Sequence, residues 1–103
     1  GEIVALYDML RQASPSPVVD VSRALSVAML RGANAGIDEL DAIPERELIG
    51  RYPYALATYA ELHASLGHVE QARAFLDLAL DVQSSPAERA LLWRKRAALD
   101  GRA

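Results

Sequence analysis

The chain has 103 residues, 51% of them hydrophobic but only 6% aromatic, with a formal net charge of −3 and no cysteine. That length suits one domain with a single modest core. The missing cysteines exclude disulfides, thiolate metal sites and cysteine nucleophiles, the negative balance argues against direct nucleic-acid binding, and no apolar run approaches the roughly 20 residues of a membrane span.

With so few aromatics the core must come from Ala, Leu, Val and Ile, which suits close helix packing better than a sheet, so the expected class is all-α. From Glu2 to Gln12, Ile3, Leu6, Tyr7 and Leu10 recur at the spacing of one helical face, with Glu2 where the helix dipole favours an anion. The Ser14-Pro15-Ser16-Pro17 stretch stops this first helix, and Ser16 followed by Pro17 supplies an N-cap and a first-turn proline for a second. That second helix is expected to run to about Arg31, burying a broad stripe of Val18, Val21, Ala24, Leu25, Ala28 and Met29, with Gly32 as its terminator. Asn34 can cap a short third helix through Gly36, Ile37, Leu40 and Asp41, which Pro44 stops.

Glu45 to Ile49 reads as one helical turn closed by Gly50. Pro53 opens a fourth helix carrying Leu56, Tyr59, Ala60, His63 and Leu66 on one face, and Gly67 closes it. A fifth helix from about Val69 to Val82 buries Val69, Ala72, Leu76, Ala79 and Leu80. Ser85-Pro86-Ala87-Glu88 fits a capping box, in which the serine oxygen accepts from the Glu88 amide and the glutamate reaches back to the serine amide. The last helix runs from there to about Leu99.

Catalytic and metal-binding patterns are sparse. His63 and His68 are the only histidines, and a gap of five is expected to put them on different helical faces, with His63 packed near Tyr59. Catalytic zinc needs three protein ligands, and carboxylates such as Glu45, Glu47, Glu61 and Asp77 are scattered along helix surfaces. No glycine pattern suits a phosphate loop. The reading is therefore non-enzymatic, with no cofactor and no metal. Tyr52, Tyr54 and Tyr59 cluster ahead of and within the fourth helix and read first as packing residues with wet hydroxyls. Arg89, Trp93 and Arg96 share a face of the last helix. Cations placed near a helix C-terminus beside a surface tryptophan are the first explanation, and a docking face is the second, since tryptophan and arginine are enriched at interface hot spots.

Gly32 and Gly67 are the turn glycines of two helix pairs, and their spacing resembles the tetratricopeptide repeat of about 34 residues. The first pair departs from strict register, since Ala35 and Gly36 come one position early. The expectation is about six helices in antiparallel tetratricopeptide-like pairs forming a short right-handed superhelix, with the first and last helices as caps. In that register Tyr54, Ala57, Glu61, Ala64 and Ser65 line a neutral to acidic concave surface, unlike domains that grip a terminal carboxylate. Unstacked repeat ends can also pair as a weak homodimer.

The ordered series IVALYDML, SPSPVV, RAL, AGIDELDAI, RYPYA, LGHVEQA and SSPAERALL spans nearly the whole chain. It resembles the C-terminal extension of a group of bacterial extracytoplasmic-function RNA polymerase sigma factors. The resemblance implies a single tetratricopeptide-like domain over residues 1–103, belonging to the C-terminal part of a longer, cytoplasmic bacterial sigma factor. It further implies a regulatory role, through contacts with the sigma factor's DNA-binding regions in cis and with core polymerase. Ser22 stands where the family commonly has asparagine, and Leu56 and Tyr59 replace its usual histidine and arginine. Tyr7, Asp8, Arg23 and Asp41 remain as the retained polar set, expected first as a buried network fixing helix angles and second as a regulatory surface.

Overall fold

A computed structural model describes residues 2–13 and 16–101. The expected break at Ser14 and Pro15 lies outside the described residues. Among the described residues seven helices follow one another: α1 (Glu2–Ala13), α2 (Pro17–Arg31), α3 (Ala33–Asp41), α4 (Arg46–Ile49), α5 (Pro53–Ser65), α6 (Val69–Val82) and α7 (Pro86–Asp100). No strand occurs among the described residues.

Local chemistry explains the boundaries. Pro17, Pro53 and Pro86 each open a helix, where the missing N–H costs nothing. Ser16 Oγ accepts from the Val19 amide at 3.2 Å, capping α2. Ser85 Oγ accepts from the Glu88 amide at 3.4 Å, but the expected return bond from Glu88 is not made. The Ser85 amide donates to Gln83 Oε1 at 3.1 Å instead, because Gln83 lies two residues upstream in extended backbone. Asn34 is not the cap of α3 either. Gly32, at φ 101°, ends α2 and directly precedes Ala33, so Asn34 is already the second helical residue.

The tight turn also accounts for the early small residues of the first pair. α3 starts one residue after Gly32, whereas α6 starts two residues after Gly67, which has φ 78°. Counted from the helix start, Gly36 and Ala72 are both the fourth residue, and both are buried. At Gly36 the α2 and α3 backbones nearly touch: a Cβ there would lie 2.4 Å from Ala28 Cβ.

α5 is the centre of the molecule. Its Ala55, Tyr59 and Leu62 join Val21, Ala24, Leu40 and Ile49 in one core cluster. Its Leu56 and Ala60 join Ala72, Leu76, Ala79, Leu92 and Leu99 in the other. A helix buried on both sides reads as apolar all round rather than as a stripe. α5 packs on α6, α3 and α2, while α7 packs on α6 and α1 packs chiefly on α2. The whole measures 39 × 28 × 21 Å.

Candidate functional site

The polar residues singled out in the sequence fall into two clusters rather than one buried network. In the first, Arg23 on α2 donates through Nε to Asp8 of α1 at 2.6 Å and through Nη1 to Glu39 of α3, tying three helices together. Burial works against the Arg23 charge, but the bonds to Asp8 and Glu39 outweigh it and hold the guanidinium above its ordinary pKa. Asp8 is nearly half exposed, so this set is a surface clamp.

In the second cluster, Tyr59 Oη donates to Asp41 at 2.6 Å and accepts from Arg46 Nη2 at 3.1 Å. Arg46 also donates to the Leu40 carbonyl at 2.7 Å, closing the end of α3. Burial, then the Asp41 carboxylate, push the Tyr59 hydroxyl above its ordinary pKa, partly offset by Arg46. Tyr7 is half-buried and joins neither cluster among the described residues. Of the four retained polar residues, the structure thus joins Asp8 to Arg23, places Asp41 elsewhere and leaves Tyr7 apart.

Tyr59, expected to remove a polar contact, itself carries one through its hydroxyl. Its ring stacks on Phe75 of α6 with centroids 4.5 Å apart, and Phe75 stacks in turn on His63 at 5.6 Å. His63 and His68 do not lie apart as expected: their Nδ1 atoms are 3.1 Å from one another, because the turn at Gly67 folds His68 back over the end of α5. Burial and the neighbouring His68 push the His63 pKa down, with Asp41 acting in the opposite sense.

Ser22 is also engaged, its hydroxyl lying 3.0 Å from Tyr54 Oη between α2 and α5. Tyr54 meets Tyr52 edge-on, centroids 6.0 Å apart, and both rings stand at the mouth of a groove between α5 and α7. One stretch of that groove, about 370 Å³, is lined by Tyr52, Tyr54, Ala57, Leu91, Leu92 and Lys95. It continues along Ala60, Glu61, Ala64 and Leu99, with Leu76 among the residues lining it. Lys95 Nζ reaches Glu61 at 3.1 Å, bridging the two walls and cancelling a charge from each. Four of the five residues expected on this surface line it. Ser65 does not, and its hydroxyl donates to the Leu62 carbonyl at 2.8 Å.

Arg89 and Arg96 are each bonded to α6 or its C-terminal end, with Trp93 between them. Arg89, near the start of α7, donates to the Leu80 and Gln83 carbonyls, satisfying the end of α6 rather than its own helix. Arg96 bonds Asp77 of α6 at 2.7 Å and lies 5.7 Å over the Trp93 ring. Trp93 remains half exposed.

Sequence reasoning passed over Glu39, Arg46 and Phe75. Phe75 is the chain's single phenylalanine, and its place three residues after buried Ala72 was a legible core signal. Glu39 and Arg46 carried no local signal, because their partners sit on other elements.

No protein-family profile matches the chain, and no solved structure matches it. Over 91 residues, 88% of its length, the chain is 31% identical to the uncharacterized protein R00370 of Rhizobium meliloti (strain 1021). It spans only 21% of that relative.

Proposed function

We propose that this chain is a non-catalytic regulatory interaction domain of an extracytoplasmic-function RNA polymerase sigma factor, with a tetratricopeptide-like architecture. The observation that carries the reading is the ordered motif series, which covers the chain from Ile3 to Leu92. Geometry supports the repeat. Two helix pairs, α2/α3 and α5/α6, share a positive-φ glycine in the turn and a small buried residue fourth in the second helix. α7 then takes the place of a following first helix, giving a short right-handed superhelix whose inner surface is the α5/α7 groove.

In this reading the two clamps, Asp8–Arg23–Glu39 and Asp41–Tyr59–Arg46, fix the angles between helices, so that the groove and the outer faces are presented rigidly. The domain acts in the bacterial cytoplasm on the sigma factor's DNA-binding regions in cis and on core polymerase. It binds neither DNA nor membrane itself. The test is a promoter assay comparing the full-length factor with one truncated before Gly1. Changed activity, promoter choice or inhibition is expected, and no change in any of the three would sink the proposal.

A second reading is favoured by the tyrosine-lined apolar groove: a helical-repeat adaptor that grips a peptide or partner helix. Retrieval of a specific partner unrelated to polymerase, with binding abolished by Tyr54→Ala, would favour it.

A further inference from the structure

The outer face of α1 is as apolar as its inner one. Ile3, Leu6, Met9 and Leu10 are 63%, 56%, 68% and 40% exposed, and the end of α2 adds Met29 at 84% and Leu30 at 56%. Ile3, Met29 and Leu30 line a single hollow with Val4 where the start of α1 meets the end of α2, and Leu6, Met9 and Leu10 extend the apolar side of α1 away from it. Together they expose on the order of 600 Å² of apolar side chain, more than the scattered apolar residues of an ordinary monomer surface.

Spacing shows what such a face fits. Ile3, Leu6, Leu10 and Ala13 follow one another at intervals of three, four and three, the a and d positions of two heptads. That seam is complementary to another seam of the same kind. A stable dimer buries about 800 Å² on each partner, and the apolar patch supplies most of it, with Tyr7 and Ala13 at its margin. Arg11 and Asp8 do not intrude, because they face α2, where Arg11 Nε bonds Asp20 at 2.7 Å and Asp8 bonds Arg23.

We infer that α1 is a dimerisation seam, pairing with α1 of a second copy of this chain in antiparallel fashion. Charge selects the direction. Glu2 sits at one end of the seam, so a parallel pair would set two glutamates side by side, whereas antiparallel pairing separates them by about 18 Å, the length of the helix. A two-fold axis then passes near residue 8 and sets Leu6 opposite Leu10 of the second copy. This inference is independent of the sigma-factor reading.

The test is sedimentation velocity on the 103-residue chain from low to several hundred micromolar. A concentration-dependent dimer is expected, and Leu6→Glu should weaken it by about tenfold or more with an unchanged circular dichroism spectrum, since Leu6 is more exposed than buried. With no native cysteine, direction can be read by oxidation. A mixture of Leu6→Cys and Leu10→Cys chains should give mainly the mixed disulfide, whereas a parallel seam would give the two homodisulfides. A monomer throughout, a dimer indifferent to Leu6→Glu, or homodisulfides in the mixture would each overturn the inference.

Discussion

Gly36→Ala separates two effects that act in opposite directions. In an ordinary helix interior the change should stabilise, because alanine is favoured over glycine by about 1 kcal/mol. Here the new Cβ would lie 2.4 Å from Ala28 Cβ, 3.0 Å from Leu62 Cδ1 and 3.1 Å from the Ala24 carbonyl oxygen. Restoring a normal carbon–carbon separation of about 3.8 Å requires α2 and α3 to part by about 1.4 Å. Two of the three obstacles are a Cβ and a backbone oxygen, which no rotamer change can move, so overpacking should reach its upper range of about 3 kcal/mol. The net loss is then about 2 kcal/mol, a fall in Tm of roughly 8–16 °C for a domain of this size. Thermal unfolding followed by circular dichroism measures it. Gly50→Ala serves as the control: its nearest neighbour would be the Arg46 oxygen at 3.4 Å and its backbone is already helical, so no loss is expected. Adding Ala28→Gly to Gly36→Ala should recover part of the loss by removing the worst contact. A Gly36→Ala chain as stable as the parent, or a double variant no better than the single one, would refute close backbone approach as the reason for this glycine.

Tyr59→Phe removes the hydroxyl shared by Asp41 and Arg46 while keeping the stack on Phe75, and should cost about 1 kcal/mol in urea unfolding, with Tyr59→Leu costing more through loss of the ring. Arg89→Ala uncovers the Leu80 and Gln83 carbonyls at the end of α6. The expected cost is about 1–2 kcal/mol, with faster amide exchange in the last turn of α6, and Arg89→Lys should recover only part because one ammonium reaches two divergent acceptors less well. His63 carries a pH signature. Its folded pKa lies below the ordinary value of 6.5, through burial first and His68 second, so the unfolded chain takes up its proton more readily. Stability present above about pH 6.5 should therefore decline as pH falls through and below that value. Tm measured from pH 5 to 8 should show the decline, and His63→Gln should flatten it. An unchanged slope in that variant would move the effect elsewhere.

The helices themselves were legible because their punctuation is local: Ser16-Pro17, Gly32, Pro53, Gly67 and Ser85-Pro86 each act through their own backbone or the next turn. What failed depended on partners distant in sequence. Asn34 looked like a cap until the turn at Gly32 proved one residue shorter than the turn at Gly67. His63 and His68 were expected on different faces, with His68 a turn residue past the helix end, but the positive φ of Gly67 swings His68 back over His63. Arg89 looked like a surface cation of its own helix, while its acceptors belong to α6. Tyr59 read as a missing polar residue, yet its hydroxyl reaches Asp41 and Arg46 from a ring buried in the core. In each case the residue type was informative and the partner was not, because helix periodicity gives a face but not what stands opposite it.

α1 shows how this division bears on function. Val4 is its one buried residue among those described, against four in α6, so α1 is held by partly covered side chains more than by a buried core. Its remaining ties are Arg11–Asp20 and Asp8–Arg23, pairs that are each partly exposed and worth about 1 kcal/mol or less. α1 is therefore secured less firmly than the core helices, so it should open while α2 to α7 stay folded. Native-state hydrogen exchange on dilute, monomeric protein should therefore give α1 amides a lower opening free energy than those of α5. Adding salt should lower it more for α1 than for α5, because partly exposed ion pairs make up a larger share of what holds α1, whereas α5 is held chiefly by its buried core. Raising the protein concentration should protect α1 selectively, since pairing buries its outer face. Equal protection of α1 and α5 at low concentration would instead make α1 part of the cooperative core, and its open apolar face would then be a rigid surface rather than one secured by its partner.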